Sequence, residues 1–179
     1  MVDNYKDWHS DIYDVLRQQN IKQVCHVPDA GHASLIQKCE ADNGMTVVSL
    51  TTEEDGIGVL TGAWLGGQRG VLLMQSSGVG NTINALAMPN ACHIPFVTIV
   101  SMRGEWGEFV PWQIPMGQAT QEVFTAMGVI VIQEERPEDV RATVTAAIKM
   151  AFDSNQQVAV LLSQKLIGTK DFRAEERVL

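Results

Sequence analysis

Six short apolar runs, each preceded by a segment with helical spacing, constrain the fold of this chain more than any other feature. The runs lie at 24–27, 46–50, 71–74, 96–100, 129–132 and 158–162. Each run is continuous rather than alternating, which is typical of strands in a parallel sheet whose two faces are both buried. The sequence therefore predicts a three-layer α/β/α domain with a six-stranded, mainly parallel, doubly wound sheet.

The segments between these runs predict six helices and one long loop. The helices are expected at 5–19, 33–39, 54–66, 80–92, 118–127 and 137–152. Residues 74–81 are expected to form a strand end, a glycine turn and a helix start. No element is expected at 101–117, and a loop of that length is uncommon unless it binds something. Because ligands of open α/β sheets bind at the carboxyl ends of the strands, we expect the functional residues in the loops at that edge.

The composition narrows the class of protein. A chain of 179 residues, 45% apolar and 19% charged, is expected to form one domain over 1–179 with a C-terminal tail at about 166–179. A net charge of −8 disfavours nucleic acid as a partner, because the phosphates would be repelled. No apolar stretch is long enough to cross a membrane, and the acidic N-terminus lacks an export signal. The three cysteines form no metal or disulfide pattern, so a cytoplasmic protein is expected.

Polar residues follow the first and third predicted strands. Asp29 and His32 come after the first strand, where the simplest alternative is a turn in which Asp29 caps the next helix. Gln75, Ser76 and Asn81 follow the third strand and offer neutral hydrogen-bonding groups to the crevice. The glycines among them do not form a dinucleotide-binding motif, because the third glycine is missing and no acid ends the next strand.

The long loop contains one cation that suits an anionic ligand. Arg103 carries a guanidinium group, which matches planar or tetrahedral oxyanions through paired hydrogen bonds. Gln113 lies in the same loop among large aromatic side chains. Those aromatics either become buried by a partner or ligand, or fold over the sheet as a small separate cluster.

An unusual helix follows the second strand. Glu53, Glu54 and Asp55 open it, and acids at a helix start are stabilised by the helix dipole. Glycines then recur along the helix, and each interior glycine costs roughly 1 kcal/mol relative to alanine. Either this helix packs tightly on the sheet within the monomer, or it forms a subunit interface or the wall of a cofactor site.

A series of motifs continues from this helix into the third strand. Glu53 opens the helix, Gly62 follows nine residues later, and the strand leads into Gln-Ser-Ser-Gly-Val-Gly-Asn at 75–81. This series resembles the pyrimidine-binding (PYR) domain of thiamine diphosphate enzymes. The glycine spacing fits that family only if its glutamate is Glu53 and not Glu54. Val-Pro-Asp at 27–29 and the order of the six strands extend the resemblance over nearly the whole chain.

The long loop carries a closer resemblance. Segments 103–108 and 111–118, together with 74–81, resemble subunits of decarboxylases that act on sulfopyruvate, and next those that act on phosphonopyruvate. The resemblance implies a carboxy-lyase in which Glu53 is catalytic, because it hydrogen-bonds N1′ of the cofactor's aminopyrimidine. The implied cofactor contacts are Glu53, Pro28, Gln75, Ser76 and Asn81. The implied contacts to a 2-oxo acid substrate are Asp29, His32, Arg103 and Gln113.

One motif of the family is missing from this chain. The diphosphate end of the cofactor and its Mg²⁺ are held in the family by Gly-Asp-Gly and a later Asn, and this sequence contains no Gly-Asp-Gly. The resemblance therefore implies a separate β subunit that supplies the metal site, in a heterotetramer or a larger assembly. The alternatives are a decarboxylase for another 2-oxo acid, a non-catalytic flavodoxin-like nucleotide-binding domain, and a structural subunit that has lost catalysis.

Overall fold

The structure, a computed structural model, describes residues 7–169 and contains a six-stranded sheet. Its strands are β1 (Ile21–His26), β2 (Thr46–Ser49), β3 (Arg69–Gln75), β4 (Phe96–Ser101), β5 (Ile130–Glu134) and β6 (Gln157–Leu162). The strands lie in the order β2-β1-β3-β4-β6-β5, and all neighbouring pairs are parallel. The predicted α/β fold with a doubly wound parallel sheet is confirmed.

Eight helices connect or flank the strands within the described residues. They are α1 (Trp8–Gln18), α2 (Ala33–Glu40), α3 (Glu53–Leu65), α4 (Ser76–Thr82), α5 (Ala87–Ala91), α6 (Ile114–Ala126), α7 (Val140–Ser154) and α8 (Gln164–Ile167). A single 3₁₀ turn, Pro111–Gln113, leads into α6. None of these helices is long and apolar enough to span a membrane.

The region after β3 differs from the sequence prediction. Helix α4 begins at Ser76, directly after β3, so the predicted glycine turn is wrong and Gly78 and Gly80 lie inside a helix. The single helix expected at 80–92 is divided into α4 and α5. Pro89 lies in the first turn of α5, where its missing backbone N–H does no harm, and it could not continue a longer helix without loss.

The long loop is shorter than the sequence predicted. Helix α6 begins at Ile114 rather than at 118, with Pro115 in its first turn, so the irregular segment is reduced to 102–110. Helix α8 was not predicted and overlaps the start of the predicted tail. Residues 170–179 of that tail, and residues 5–6 of the first predicted helix, lie outside the described residues.

Two apolar layers hold the helices against the sheet. Helices α1, α2 and α7 bury one face, through residues such as Leu16, Leu35 and Ile148. Helices α3, α4 and α6 bury the other, through residues such as Ile57 and Phe124. Both faces of β3 are covered, which explains why the strand consists of a continuous apolar run rather than an alternating one.

The strand order creates a crevice beside β1. The chain passes from β1 to β2 on one side and then crosses back to β3 on the other side. The segments that follow β1 and β3 therefore run to opposite faces of the sheet, which opens space at their carboxyl ends. Three of the predicted site residues, Asp29, Gln75 and Arg103, line a cleft at this edge.

Candidate functional site

Glu53 is a buried acid at the start of α3, at the carboxyl edge of the sheet. Only 7% of its surface is exposed, and its Oε2 accepts a hydrogen bond of 2.8 Å from Nδ2 of Asn81 in α4. Its carboxyl group packs directly over Gly78, where any Cβ would overlap it. The glycine within α4 therefore makes room for this carboxyl group. Glu54 and Asp55 are exposed, so the fold distinguishes Glu53 from the acids next to it.

The glycines of α3 have two different surroundings. A Cβ at Gly56 would lie 2.7 Å from Cδ1 of Leu72 and 2.9 Å from Cδ1 of Leu50, so this glycine lets α3 pack closely on the sheet. At Gly58 and Gly62 a Cβ would meet nothing within 4 Å. Packing within the monomer explains the first glycine but not the other two.

Asp29 joins the ends of three neighbouring strands. It follows β1, and its Oδ1 accepts a hydrogen bond of 3.0 Å from Nε2 of Gln75 at the end of β3. Its Oδ2 accepts a bond of 2.5 Å from Oγ of Ser101 at the end of β4. The side chain is thus held inside the crevice, and the simple helix cap considered from the sequence is not what it forms.

Gln75 extends this network to the far side of the crevice. Its Oε1 accepts hydrogen bonds from Oγ of Ser77 at 2.9 Å and from Nε2 of Gln113 at 2.8 Å. Gln113 is only 5% exposed, and its own Oε1 finds no hydrogen-bond partner among the described residues. The structure therefore brings together Asp29, Gln75 and Gln113, which the sequence singled out separately.

Arg103 is engaged within its own loop. Its Nε and Nη2 each donate a hydrogen bond of 2.6 Å to the carboxylate of Glu108. The Arg103 guanidinium is the main reason that the pKa of Glu108 falls to about 2. Glu108 also accepts hydrogen bonds from the backbone N–H groups of Gly104 and Val110. The guanidinium therefore holds the loop together through Nε and Nη2.

Three further predicted residues have different positions. His32 is fully buried, its Nε2 lies 3.1 Å from the carbonyl oxygen of Ile99, and burial lowers its pKa. A neutral, enclosed imidazole does not support the substrate contact expected of it. Ser76 is also fully buried, and its Oγ accepts a 3.0 Å hydrogen bond from the backbone N–H of Arg103, so it joins α4 to the loop rather than facing the crevice. Pro28 is exposed at the end of β1.

The sequence reasoning missed two residues that shape this region. Ser101 fixes Asp29, and its position at the end of a predicted strand was the signal that could have found it. Gln164 in α8 is 2% exposed, and its Oε1 accepts 3.0 Å bonds from the backbone N–H groups of Glu105 and Trp106. No local pattern marks Gln164, because its partners lie almost sixty residues earlier.

The described residues contain no group of three or more His, Cys, Asp or Glu side chains that could hold a metal ion. The site offered by residues 7–169 is therefore built from one buried glutamate and a network of amide, hydroxyl and carboxylate groups. Such a site can hydrogen-bond a heterocycle and orient an anionic substrate.

Comparisons with known proteins agree with this geometry. Residues 7–129 match the model of the family described as thiamine pyrophosphate enzyme, N-terminal TPP binding domain; thiamine pyrophosphate is the same molecule as thiamine diphosphate. The chain is 33% identical over 151 residues to sulfopyruvate decarboxylase subunit alpha of Methanocaldococcus jannaschii, covering 84% of this chain and 89% of that protein. It is 32% identical over 117 residues to phosphonopyruvate decarboxylase of Streptomyces hygroscopicus, covering 64% of this chain and 29% of that one.

A solved structure shares the fold. The 2-oxoglutarate:ferredoxin oxidoreductase from Magnetococcus marinus superposes with a TM-score of 0.72 over 89% of this chain and 29% of that one, at 14% identity. The family match covers well over half of the chain. The chain therefore belongs to the family of thiamine pyrophosphate enzymes, as an N-terminal TPP binding domain.

Proposed function

We propose that this protein is the α subunit of a thiamine diphosphate-dependent sulfopyruvate decarboxylase, which converts sulfopyruvate to sulfoacetaldehyde and CO₂. The observation that carries the proposal is the Glu53 carboxyl group, buried against Gly78 and fixed by Asn81 at the edge of the crevice. Similarity to named alpha subunits over 84% of the chain supports the choice of substrate.

The residues around the crevice fit the pyrimidine end of the cofactor. Glu53 would share a proton with the ring nitrogen N1′, and Asn81 keeps its carboxyl plane fixed while it does so. Gln75 and Pro28 would line the rest of the pyrimidine site. When bound, the thiazolium ring of thiamine diphosphate accepts the electron pair that loss of CO₂ leaves behind. Ser76, which the resemblance also implied, would act indirectly by holding the loop that carries Arg103.

The substrate would be oriented by the network around Asp29. A sulfonate stays ionised at any working pH, so it is best bound by a cation or several amide donors. Arg103 is the candidate on this chain, because it lines a small cleft together with Asp29, Gln75 and Ser101. His32 is not retained as a cation, since its ring is enclosed and neutral. Gln113 is joined to this cleft through its hydrogen bond to Gln75.

A separate β subunit would supply the rest of the active site, including the diphosphate contacts and Mg²⁺. Two apolar surfaces are available for it. One runs along α3 and α5, where Val59, Leu65 and Met88 are exposed beside the open Gly58 and Gly62. The other is formed by residues 102–113, here called the aromatic loop, where 50% of Trp106 and 71% of Trp112 are exposed. Exposed apolar patches of this kind commonly mark protein interfaces. We expect a heterotetramer or a larger assembly.

The test is to produce the chain together with a β subunit that carries Gly-Asp-Gly, and to measure CO₂ release from sulfopyruvate. We expect turnover that needs both chains, thiamine diphosphate and Mg²⁺. Turnover by this chain alone, or none by the assembled complex, would contradict the proposal.

A second substrate has specific support. The Streptomyces phosphonopyruvate decarboxylases are 32% and 35% identical over shorter alignments, and a phosphonate is a tetrahedral anion like a sulfonate. The same assay with phosphonopyruvate separates the two. A higher kcat/KM for phosphonopyruvate would assign the chain to that reaction instead.

A further inference from the structure

The cleft beside Arg103 is small. Its volume is about 20 Å³, which is room for about one water molecule. Its polar walls are Asp29, Gln75, Ser101 and Arg103. Gly31 lines it as well, and a Cβ there would lie 2.8 Å from Cβ of Ser101. A sulfonate group alone has four non-hydrogen atoms, so the cleft admits one only if a wall moves.

The polar walls of the cleft are held by hydrogen bonds. Asp29 accepts one hydrogen bond from Ser101 and one from Gln75, each of which stands at the end of a strand. Arg103 is held by two hydrogen bonds to the carboxylate of Glu108. Moving any of these side chains would leave a charged group without its partners, which is costly in an enclosed site.

The apolar walls differ from one another in their freedom. Met102 is buried in the apolar layer that faces α3, α4 and α6. Ile167, the last residue of α8, is only partly buried, and its side chain has no polar atom to hold it. After it, Gly168 has a φ of +88° and open space where a Cβ would be. The side chain of Ile167 is therefore the wall that can turn aside at the least cost.

The backbone of α8 fixes where Ile167 stands. Oε1 of Gln164 accepts hydrogen bonds from the backbone N–H groups of Glu105 and Trp106, and its Nε2 donates to Glu108. The helix is thus tied to the same loop that carries Arg103. The guanidinium and the isoleucine face one cleft from two elements that are joined, so the room between them depends on the size of the isoleucine side chain.

We propose that Ile167 is a specificity-determining residue, whose side chain limits the size of the anionic group that can enter beside Arg103. The inference rests on the proposed function and deepens it, because that group would be the sulfonate tail of the substrate. Sulfopyruvate has one methylene between its ketone carbon and its sulfur. The next homologue, 4-sulfo-2-oxobutanoate, has two and needs more room, so the cleft should accept the first acid and disfavour the second.

The test is a comparison of kcat/KM for the two acids, from CO₂ release by the assembled complex with thiamine diphosphate and Mg²⁺. One methylene in a confining pocket changes kcat/KM by at least about tenfold, so we expect the wild type to prefer sulfopyruvate by that factor or more. Ile167→Ala should remove most of the preference. Ile167→Val, which removes one carbon, should remove part of it, and it keeps the test valid if the alanine variant does not fold.

Ile130→Ala is the matched control. Ile130 is a partly buried isoleucine that packs against the same apolar layer as Ile167, but it begins β5 at the opposite, amino edge of the sheet. Its substitution should lower the stability of the chain and leave the preference between the two acids unchanged.

Three results would overturn the inference. They are a wild type that does not distinguish the two acids, a preference that is unchanged in the Ile167 variants, and an equal loss of preference in Ile130→Ala. The last result would mean that general loosening of the apolar layer, rather than the wall of the cleft, sets the preference. Failure of the proposed function appears differently, as a wild-type complex that releases no CO₂ from sulfopyruvate.

Discussion

Glu53 and Glu108 are two acids at the same edge of the sheet whose side chains are both largely enclosed, and they differ in how fully they are paired. Glu108 accepts five hydrogen bonds, from Nε and Nη2 of Arg103, two backbone N–H groups and Gln164. Among residues 7–169, Glu53 accepts one side-chain hydrogen bond, from Asn81. A carboxylate has about four lone-pair sites, so Glu108 is saturated while Glu53 keeps unused capacity. A buried carboxylate whose lone pairs lack donors destabilises the fold, and such a group is expected where a ligand completes its hydrogen bonding.

The substitution Glu53→Gln tests most directly whether Glu53 and Glu108 have different roles. Glutamine keeps the size and can still accept from Asn81, but it cannot share a proton with a ring nitrogen. We expect kcat of the assembled complex to fall by roughly 10²- to 10⁴-fold, the usual contribution of a positioned proton-transfer group. Assembly with the β subunit, followed by size-exclusion chromatography, should be unchanged.

Glu54→Gln is the matched control for this change, because Glu54 is the next residue in the same helical turn and is exposed. Its effect on kcat should be much milder. Equal effects of the two substitutions would remove the distinction between Glu53 and its neighbour.

The structural role of Glu108 should be visible as a loss of loop stability at low pH. The pKa of Glu108 is lowered from its ordinary 4.5 to about 2, so its bonds stabilise the loop fully above pH 4.5 and are lost as the pH falls towards 2. The backbone N–H groups of Gly104 and Val110 donate to this carboxylate. We expect their hydrogen exchange to lose protection, relative to the intrinsic rate at each pH, over this range.

Glu108→Gln should loosen the same two N–H groups already at neutral pH and lower the free energy of unfolding by roughly 2 kcal/mol, since Arg103 loses a charged partner. It should also remove most of the acid response. A wild-type acid response that persists in Glu108→Gln would show that another carboxylate controls the loop.

The smallest effect is expected at the open glycines of α3. Gly58→Ala should raise the free energy of unfolding of this chain by up to about 1 kcal/mol, because alanine favours a helix and nothing obstructs its Cβ. The same change should weaken binding to the β subunit, measured by titration calorimetry. Gly56→Ala is the opposite control, since its Cβ would press on Leu72 and Leu50 and destabilise the chain.

The sheet could be predicted from the sequence because a strand that is buried on both faces appears as a continuous run of apolar residues. The apolar run at 71–74 lies inside β3, and the run at 158–162 lies inside β6. Glycines were less reliable guides. Gly78 suggested a turn, but it lies within α4. A glycine is needed at this helical position because a Cβ there would overlap the Glu53 carboxyl group. That space is set by a residue 25 positions earlier, and no local pattern contains it.

The site residues also divide into those that the sequence could indicate and those that it could not. The sequence could select Glu53 through the glycines that follow it, and Asp29 and Gln75 through their positions after strands. It could not predict that Arg103 is bound by Glu108, because the two are joined across an irregular loop without periodicity. It also could not show that His32 turns inwards, since the side chain of a loop residue has no pattern that reports its direction.

The bonds between α8 and the aromatic loop have a practical consequence for handling the protein. Gln164 receives the N–H groups of Glu105 and Trp106, and its own N–H donates to the carboxylate of Glu105. A truncation that removes α8 would break these hydrogen bonds and release the loop that borders the crevice. An affinity tag or dye attached after residue 169 would leave the hydrogen bonds intact. A fluorophore at that position, close to Gly107 through Thr169, would report loop movement when the β subunit binds.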